Sequence, residues 1–170
     1  MEKFTEIKQY LTFMLDEEHF TVDVIHVREI LEYMKITKMP DAPPFMIGII
    51  NVRGGIVPVI DLRMKFGMPA TEPKATTRII VMEIEREENN LVIGVLADAV
   101  KEVIEISPDS IEPPPDIGTR WKRDYVMGVG TYREEFIMLL NVNKLFSDSE
   151  LILLDGEKKD EISAISSGEI

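Results

Sequence analysis

The sequence predicts a mainly β protein built from two copies of a small five-stranded barrel packed on a shared core, with a short C-terminal helix. Three observations predict it. The apolar runs have strand lengths, charged or glycine-bearing tips separate them, and two stretches of the first half recur in the same order in the second. Ten prolines and ten glycines in 170 residues supply the frequent turns such a chain needs.

Taken in order, Tyr10 to Leu15 is an apolar run that stops at the charged tip Asp16-Glu17-Glu18-His19, as a strand entering a hairpin does. Phe45 to Val52 and Ile56 to Leu62 flank Arg53-Gly54-Gly55, which reads as a tight hairpin turn. Pro58 inside the second of these runs predicts an edge position or a bulge, because proline has no N–H to give a ladder. Arg78 to Ile84 and Leu91 to Ala97 flank the polar tip Arg86-Glu87-Glu88-Asn89-Asn90, and Phe136 to Val142 is the last strand-like run. Ser147-Asp148-Ser149-Glu150 before Leu151-Ile152-Leu153-Leu154 has the capping-box pattern that opens a helix. Beyond Gly156 the residues are small and charged, with too few large apolar groups to bury, and predict a flexible acidic tail over 157–170.

The repeat lies in two blocks. Val27-Arg28-Glu29-Ile30-Leu31-Glu32 recurs as Val100-Lys101-Glu102-Val103-Ile104-Glu105 at an offset of 73. Gly48, Arg53, Ile56, Val57, Val59, Ile60 and Phe66 recur as Gly128, Arg133, Phe136, Ile137, Leu139, Leu140 and Phe146 at an offset of 80. Seven inserted residues reconcile the offsets, so a unit of about 60 residues, with room for around five short strands, is duplicated. A barrel that small is marginal alone, so the two copies are expected to share apolar surface and form one cooperative domain.

Composition removes several classes of function. The chain has no cysteine, which excludes disulfides, thiolate metal sites and thiol nucleophiles. Nineteen basic against thirty-one acidic residues give a net charge of −12, which repels phosphate backbones and anionic lipid, so neither nucleic acid nor direct membrane contact is expected. The amino terminus lacks a signal-peptide core and no apolar run approaches a bilayer span, which predicts a cytoplasmic protein. His19 and His26 are too few for a zinc site. The pairs Glu17-Glu18, Glu87-Glu88 and Glu134-Glu135 sit at turn tips, where solvation explains them better than acid–base chemistry. Gly128-Val129-Gly130 lacks the third glycine and following helix of a dinucleotide fingerprint. Without nucleophile, metal set or cofactor loop, no cofactor and no enzymatic activity are expected, and the positive reading is a surface that binds other proteins. Two other readings stay open: a regulatory module with a small ligand between the barrels, and an oligonucleotide-binding pair using Arg120-Trp121-Lys122-Arg123 with Tyr125.

The stretch Phe45 to Arg63, FMIGIINVRGGIVPVIDLR, strongly resembles the signature of the CheW family of bacterial chemotaxis coupling proteins, with its arginine, glycine, proline and Asp-Leu-Arg standing as Arg53, Gly54, Pro58 and Asp61-Leu62-Arg63. The likeness runs from about residue 8 to 155 through Tyr10 to Phe13, Phe20 to Glu29, Gly94 to Val103 and Tyr125 to Gly130. It implies one domain over 1–156 made of two SH3-like five-stranded barrels, one of about 16–68 and one of about 8–15 plus 78–146, followed by a helix over 147–156. It further implies a non-enzymatic adaptor, a monomer when free. The adaptor would couple the cytoplasmic tips of methyl-accepting chemoreceptors to the regulatory domain of the histidine kinase CheA, and be recruited to membrane-associated receptor arrays. A non-flagellar chemosensory output is the alternative. Receptor contacts of the family carry over to Val27, Glu29, Ile30, Arg53, Ile56, Gly94, Val103 and Gly128. Kinase contacts carry over to Glu112, Ile117 and Gly118, next to a Pro113-Pro114-Pro115 run that departs from the usual pattern.

Overall fold

The structure, a computed structural model, describes residues 6–114 and 125–155. Strands β1 (Lys8–Leu15), β2 (Glu18–Asp23), β3 (Val27–Glu32), β4 (Met46–Val52) and β5 (Gly55–Ile60) precede a one-turn helix α1 (Leu62–Lys65). Strands β6 (Arg78–Ile84), β7 (Leu91–Ala97), β8 (Ala99–Ile106), β9 (Val126–Tyr132) and β10 (Glu135–Leu140) follow, and helix α2 (Asp148–Leu154) comes last. The turn joining β4 to β5 has two residues, Arg53 and Gly54, both at positive φ (51° and 84°), as the type I′ geometry that matches strand twist requires. Its counterpart between β9 and β10 puts Arg133 and Glu134 at φ 50° and 66°, a left-handed conformation held without glycine.

Each sheet has five strands, in the orders β8-β1-β2-β10-β9 and β3-β6-β7-β5-β4. Matching β1–β5 with β6–β10 in chain order turns one order into the other, so the chain is a duplication whose copies have exchanged parts. Each sheet takes the leading hairpin of one copy and the three following strands of the other. This corrects the boundaries expected from the sequence. β2 joins β1 and not the sheet of β3 to β5, whereas β6 and β7 join β3 to β5 and not β8 to β10. The chain crosses between sheets twice, at the single turn Val24–His26, capped by the Asp23 carboxylate on the Ile25 N–H (3.0 Å), and at Asp98.

Asp98 is 2% exposed and ties its crossing to three other elements. Its N–H donates to the Met14 carbonyl (2.9 Å), its carboxylate accepts from the Asp16 N–H (2.5 Å) and from Arg63 Nη1 (2.9 Å), and its carbonyl accepts from Thr76 Oγ1 (2.7 Å). A buried carboxylate is tolerable only with such partners.

Period-2 alternation sends neighbouring side chains into different cores. Leu11, Phe13 and Leu15 of β1 and Ile80, Met82 and Ile84 of β6 meet in one cluster between the sheets, joined by Phe20, Val95, Leu140 and Phe146. Tyr10, Ile106, Ile137 and Leu139 fill a small core within one sheet's curl, and Ile50, Val57, Val59, Ile79 and Leu96 fill the other. Thr12, fully buried where the β1–β8 register shifts, donates to the Glu102 carbonyl (2.7 Å) and accepts from the Glu102 N–H (3.0 Å), which satisfies the bulge.

The expected barrels do not close as continuous ladders. Among the described residues the backbone links between the edge strands of each sheet are isolated bridges where the chain beyond one edge returns, Thr37 to Ile49 and Glu112 to Val129. Pro40, Pro43 and Pro44 after the first bridge, and Pro108, Pro113 and Pro114 around the second, lack the N–H groups that longer pairing needs. Pro58 is also not on an edge, because β5 lies between β7 and β4. Its partner Ile49 gives both backbone groups to Thr37, and the parallel pairing of β5 with β7 begins at Val59, so no ladder bond is lost.

Helix α2 carries the capping box read from the sequence, Ser147 Oγ accepting from the Glu150 N–H and Glu150 from the Ser147 N–H. Leu151 and Leu154 seal the shared core. Both Glu150 oxygens accept from Lys65 Nζ at 2.9 Å, and that ammonium lies 5.1 Å from the ring centres of both Phe45 and Phe146. Burial raises the Glu150 pKa, but the Ser147 N–H and the Lys65 ammonium outweigh it and hold the group below its ordinary value.

A Cβ on Gly48 would lie 2.2 Å from the Thr37 carbonyl oxygen, so Gly48→Ala should cost about 1–3 kcal/mol in urea unfolding. Gly130→Ala, whose Cβ meets only ordinary contacts from 3.4 Å, should stay within about 1 kcal/mol of the parent. Because the Glu150 pKa is depressed on folding, its contribution is complete above the unfolded carboxylate value and is lost as pH falls through the folded one. The stability difference between the parent and Glu150→Gln, measured from pH 7 to pH 3, should therefore shrink toward low pH.

Candidate protein-interaction surface

β3 pairs with β6 through a register shift between Val27 and Glu29, which makes Arg28 a bulged residue. A bulge turns consecutive side chains toward one place, and Arg28 and Glu29 both line a recess of about 510 Å³ on this sheet. Val52, Val57, Val81 and Val92 form its apolar wall, and Arg53, Gly55 and Ile56 complete it from the β4–β5 hairpin.

Two ion pairs stand at the recess. Arg53 Nη1 meets Glu29 Oε2 at 2.8 Å, with the arginine side chain 80% and the glutamate 22% exposed. Since β3 and β4 are opposite edges of this sheet, the pair clasps its open side. Arg28 grips Glu83 with Nε (3.1 Å) and Nη2 (2.8 Å), and Asn90 Nδ2 adds a third bond at 3.0 Å. The hydrogen bonds from Arg28 and Asn90 hold the Glu83 carboxyl below its ordinary pKa. Ile56 beside the clasp is 73% exposed, and Ile30 on β3 is 43% exposed.

Of the residues expected at a receptor contact, the structure thus brings Glu29, Arg53 and Ile56 together at one recess, with Ile30 exposed next to Glu29 on β3 but outside the recess lining. Val27 packs half-buried against the shared core. Gly94 is buried, and a Cβ there would lie 2.9 Å from Ile79 Cγ2, so this glycine serves internal sheet packing. Gly128 is likewise buried, next to Val129, whose backbone exchanges two hydrogen bonds with Glu112. Val103 is 51% exposed, but on β8 of the other sheet. Glu112 forms the bridge that returns to β9, while Ile117, Gly118 and Arg120 to Arg123 lie outside the described residues, and Tyr125 stacks on Phe66 against the shared core.

The other sheet repeats the clasp. Arg133 Nη2 pairs with Glu102 Oε1 at 3.1 Å, its guanidinium lies 5.1 Å from the Tyr132 ring centre, and Phe136 beside it is 76% exposed. These are the repeat counterparts of Arg53, Glu29, Val52 and Ile56, and the matching offsets were the signal that could have singled them out. Arg28 was missed for a different reason, because its bulge depends on the partner strand.

Two packed sheets with paired clasps of exposed apolar and charged side chains fit a scaffold of the protein-binding class. Residues 9–150 match the sequence model of the CheW-like domain. The chain is 33% identical over 143 residues to the probable chemotaxis protein CheW of Rhizobium etli, covering 84% of this chain and 90% of that protein. It is 32% identical over 152 residues to the chemotaxis protein CheW of Klebsiella aerogenes, covering 89% of each. The structure is similar to that of the scaffolding protein TtCheW of Thermoanaerobacter tengcongensis, with a TM-score of 0.74, 36% identity and coverage of 86% and 92% of the two chains. The chain belongs to the CheW family, and its role is that of a non-enzymatic coupling adaptor in chemotaxis signalling. Among the described residues no helix is long and apolar enough to cross a membrane.

Because the Arg53–Glu29 clasp is solvent-facing, Arg53→Ala should change stability by less than about 1 kcal/mol in urea unfolding. A loss of several kcal/mol would show that the clasp holds the sheet together.

Proposed function

We propose that this adaptor joins the cytoplasmic tips of methyl-accepting chemoreceptors to the regulatory domain of a CheA-type kinase. It would act in the cytoplasm, as a monomer until recruited to receptor arrays. The observation that carries this reading is the recess that gathers Glu29, Arg53 and Ile56, beside exposed Ile30, in a member of this family. A receptor tip is a helical hairpin, and an amphipathic helix laid across the recess would set apolar side chains against Ile30, Ile56 and the valine wall while the clasp charges fix its orientation. Val103 would extend the receptor contact onto the second sheet, with Val27, Gly94 and Gly128 shaping the surface from within. The segment from Glu112 through Ile117 and Gly118 would meet the kinase, so both partners could be held at once by one rigid body. Activity would reside in the kinase.

In a reconstituted assay of receptor-dependent kinase activation, Arg53→Glu, shown folded by circular dichroism, should lower coupling at least about tenfold. It should still bind the isolated kinase regulatory domain in a calorimetric titration. A folded variant that couples as well as the parent would defeat the assignment of Arg53 to the receptor contact.

A further inference from the structure

We infer that Arg28 is a second specificity-determining cation of the recess, and that the receptor helix entering it presents an aliphatic side chain flanked by carboxylates; this rests on the receptor-binding reading above. The apolar requirement comes from the valine wall. The charge requirement comes from how the two ion pairs are layered. Arg28 and Arg53 are 51% and 80% exposed, whereas their partners Glu83 and Glu29 are 26% and 22% exposed, so the guanidinium groups face outward over shielded carboxylates. A guanidinium carries five N–H donors. Arg28 gives two bonds to Glu83 and Arg53 gives one to Glu29, which leaves donors on both for an incoming carboxylate. Asn90 on Glu83 fixes that carboxylate and with it the Arg28 fork, so little side-chain freedom remains to be lost on binding. Arg28 and Arg53 both line the recess with guanidinium groups turned outward, so an acidic helix repelled by the net charge of −12 elsewhere would find two cations together there, which sets where and how it docks.

The test is calorimetric titration of the full chain with a purified receptor cytoplasmic fragment, comparing the parent with Arg28→Gln and Glu83→Gln. Both substitutions break the same internal ion pair, but they move the recess charge in opposite directions. Arg28→Gln should weaken binding about fivefold and Glu83→Gln should strengthen it or leave it unchanged. The gap between the two variants should narrow as salt rises, since the contact is at the surface. Both variants should bind the kinase regulatory domain as the parent does, which verifies the fold. Equal weakening by the two substitutions, or none by Arg28→Gln, would overturn the inference and leave the receptor reading standing. A parent chain that binds the kinase domain but not the receptor fragment would overturn the receptor reading itself, and this inference with it.

Discussion

The fold depends on two short crossings, at Val24–His26 and at Asp98, through which each half of a duplicated chain hands a hairpin to the sheet of the other. A single repeat of about 60 residues buries too little surface to be comfortable alone. Exchange solves this by making each sheet from both copies, so neither can leave without tearing strands out of its neighbour. The shared core follows from the exchange, since Phe13 and Leu15 on one sheet face Ile80 and Met82 on the other. The hydrogen bonds of Asp98 to Met14, Asp16, Arg63 and Thr76 fix one crossing against the first hairpin and α1. The two sheets are therefore joined through strands and core residues of both copies.

The incomplete closure of the sheets leaves a gap on one side of each. Among the described residues the chain returns for one bridge per sheet, beside proline-rich segments, and arginine–glutamate clasps span the remaining gap from the tip of each opposite hairpin. Solvent-facing pairs of this kind contribute little to stability. Their geometry can be used by a partner at small cost to the fold, and the exposed Ile56 and Phe136 stand next to them. The sheets are not interchangeable, because the position held by Val52 at the recess is held in the other sheet by Tyr132, whose ring lies under Arg133.

Much of this was legible in the sequence. Strand lengths pointed to β1, β4, β5, β6, β7 and β10, and the Arg53-Gly54 turn, the capping box at Ser147 and the offsets of 73 and 80 pointed to one hairpin, the last helix and the duplication, while β2 and β9 carried no comparable signal. The exchange was not legible, because the β1–β2 and β6–β7 hairpins share alternation but few identical residues, and a period of two does not say which sheet a hairpin joins. For the same reason the room that Gly94 leaves for Ile79 is a feature of the sheet packing and not of the local sequence. Glu29, Arg53 and Ile56 came from a contiguous motif and a repeat, and fell together in space. Arg28 lies in that same repeat, yet its placement at the recess is set by a register shift against β6, a tertiary property.

Native-state hydrogen exchange tests most directly whether the two sheets are one cooperative body. The exchange of hairpins predicts that the slowest amides of β1 and β2 and those of β6 and β7 share a single opening free energy equal to that of global unfolding. If one sheet opened at lower free energy while the other stayed protected, the sheets would be separable units, and the single cooperative body built by the exchange would be contradicted.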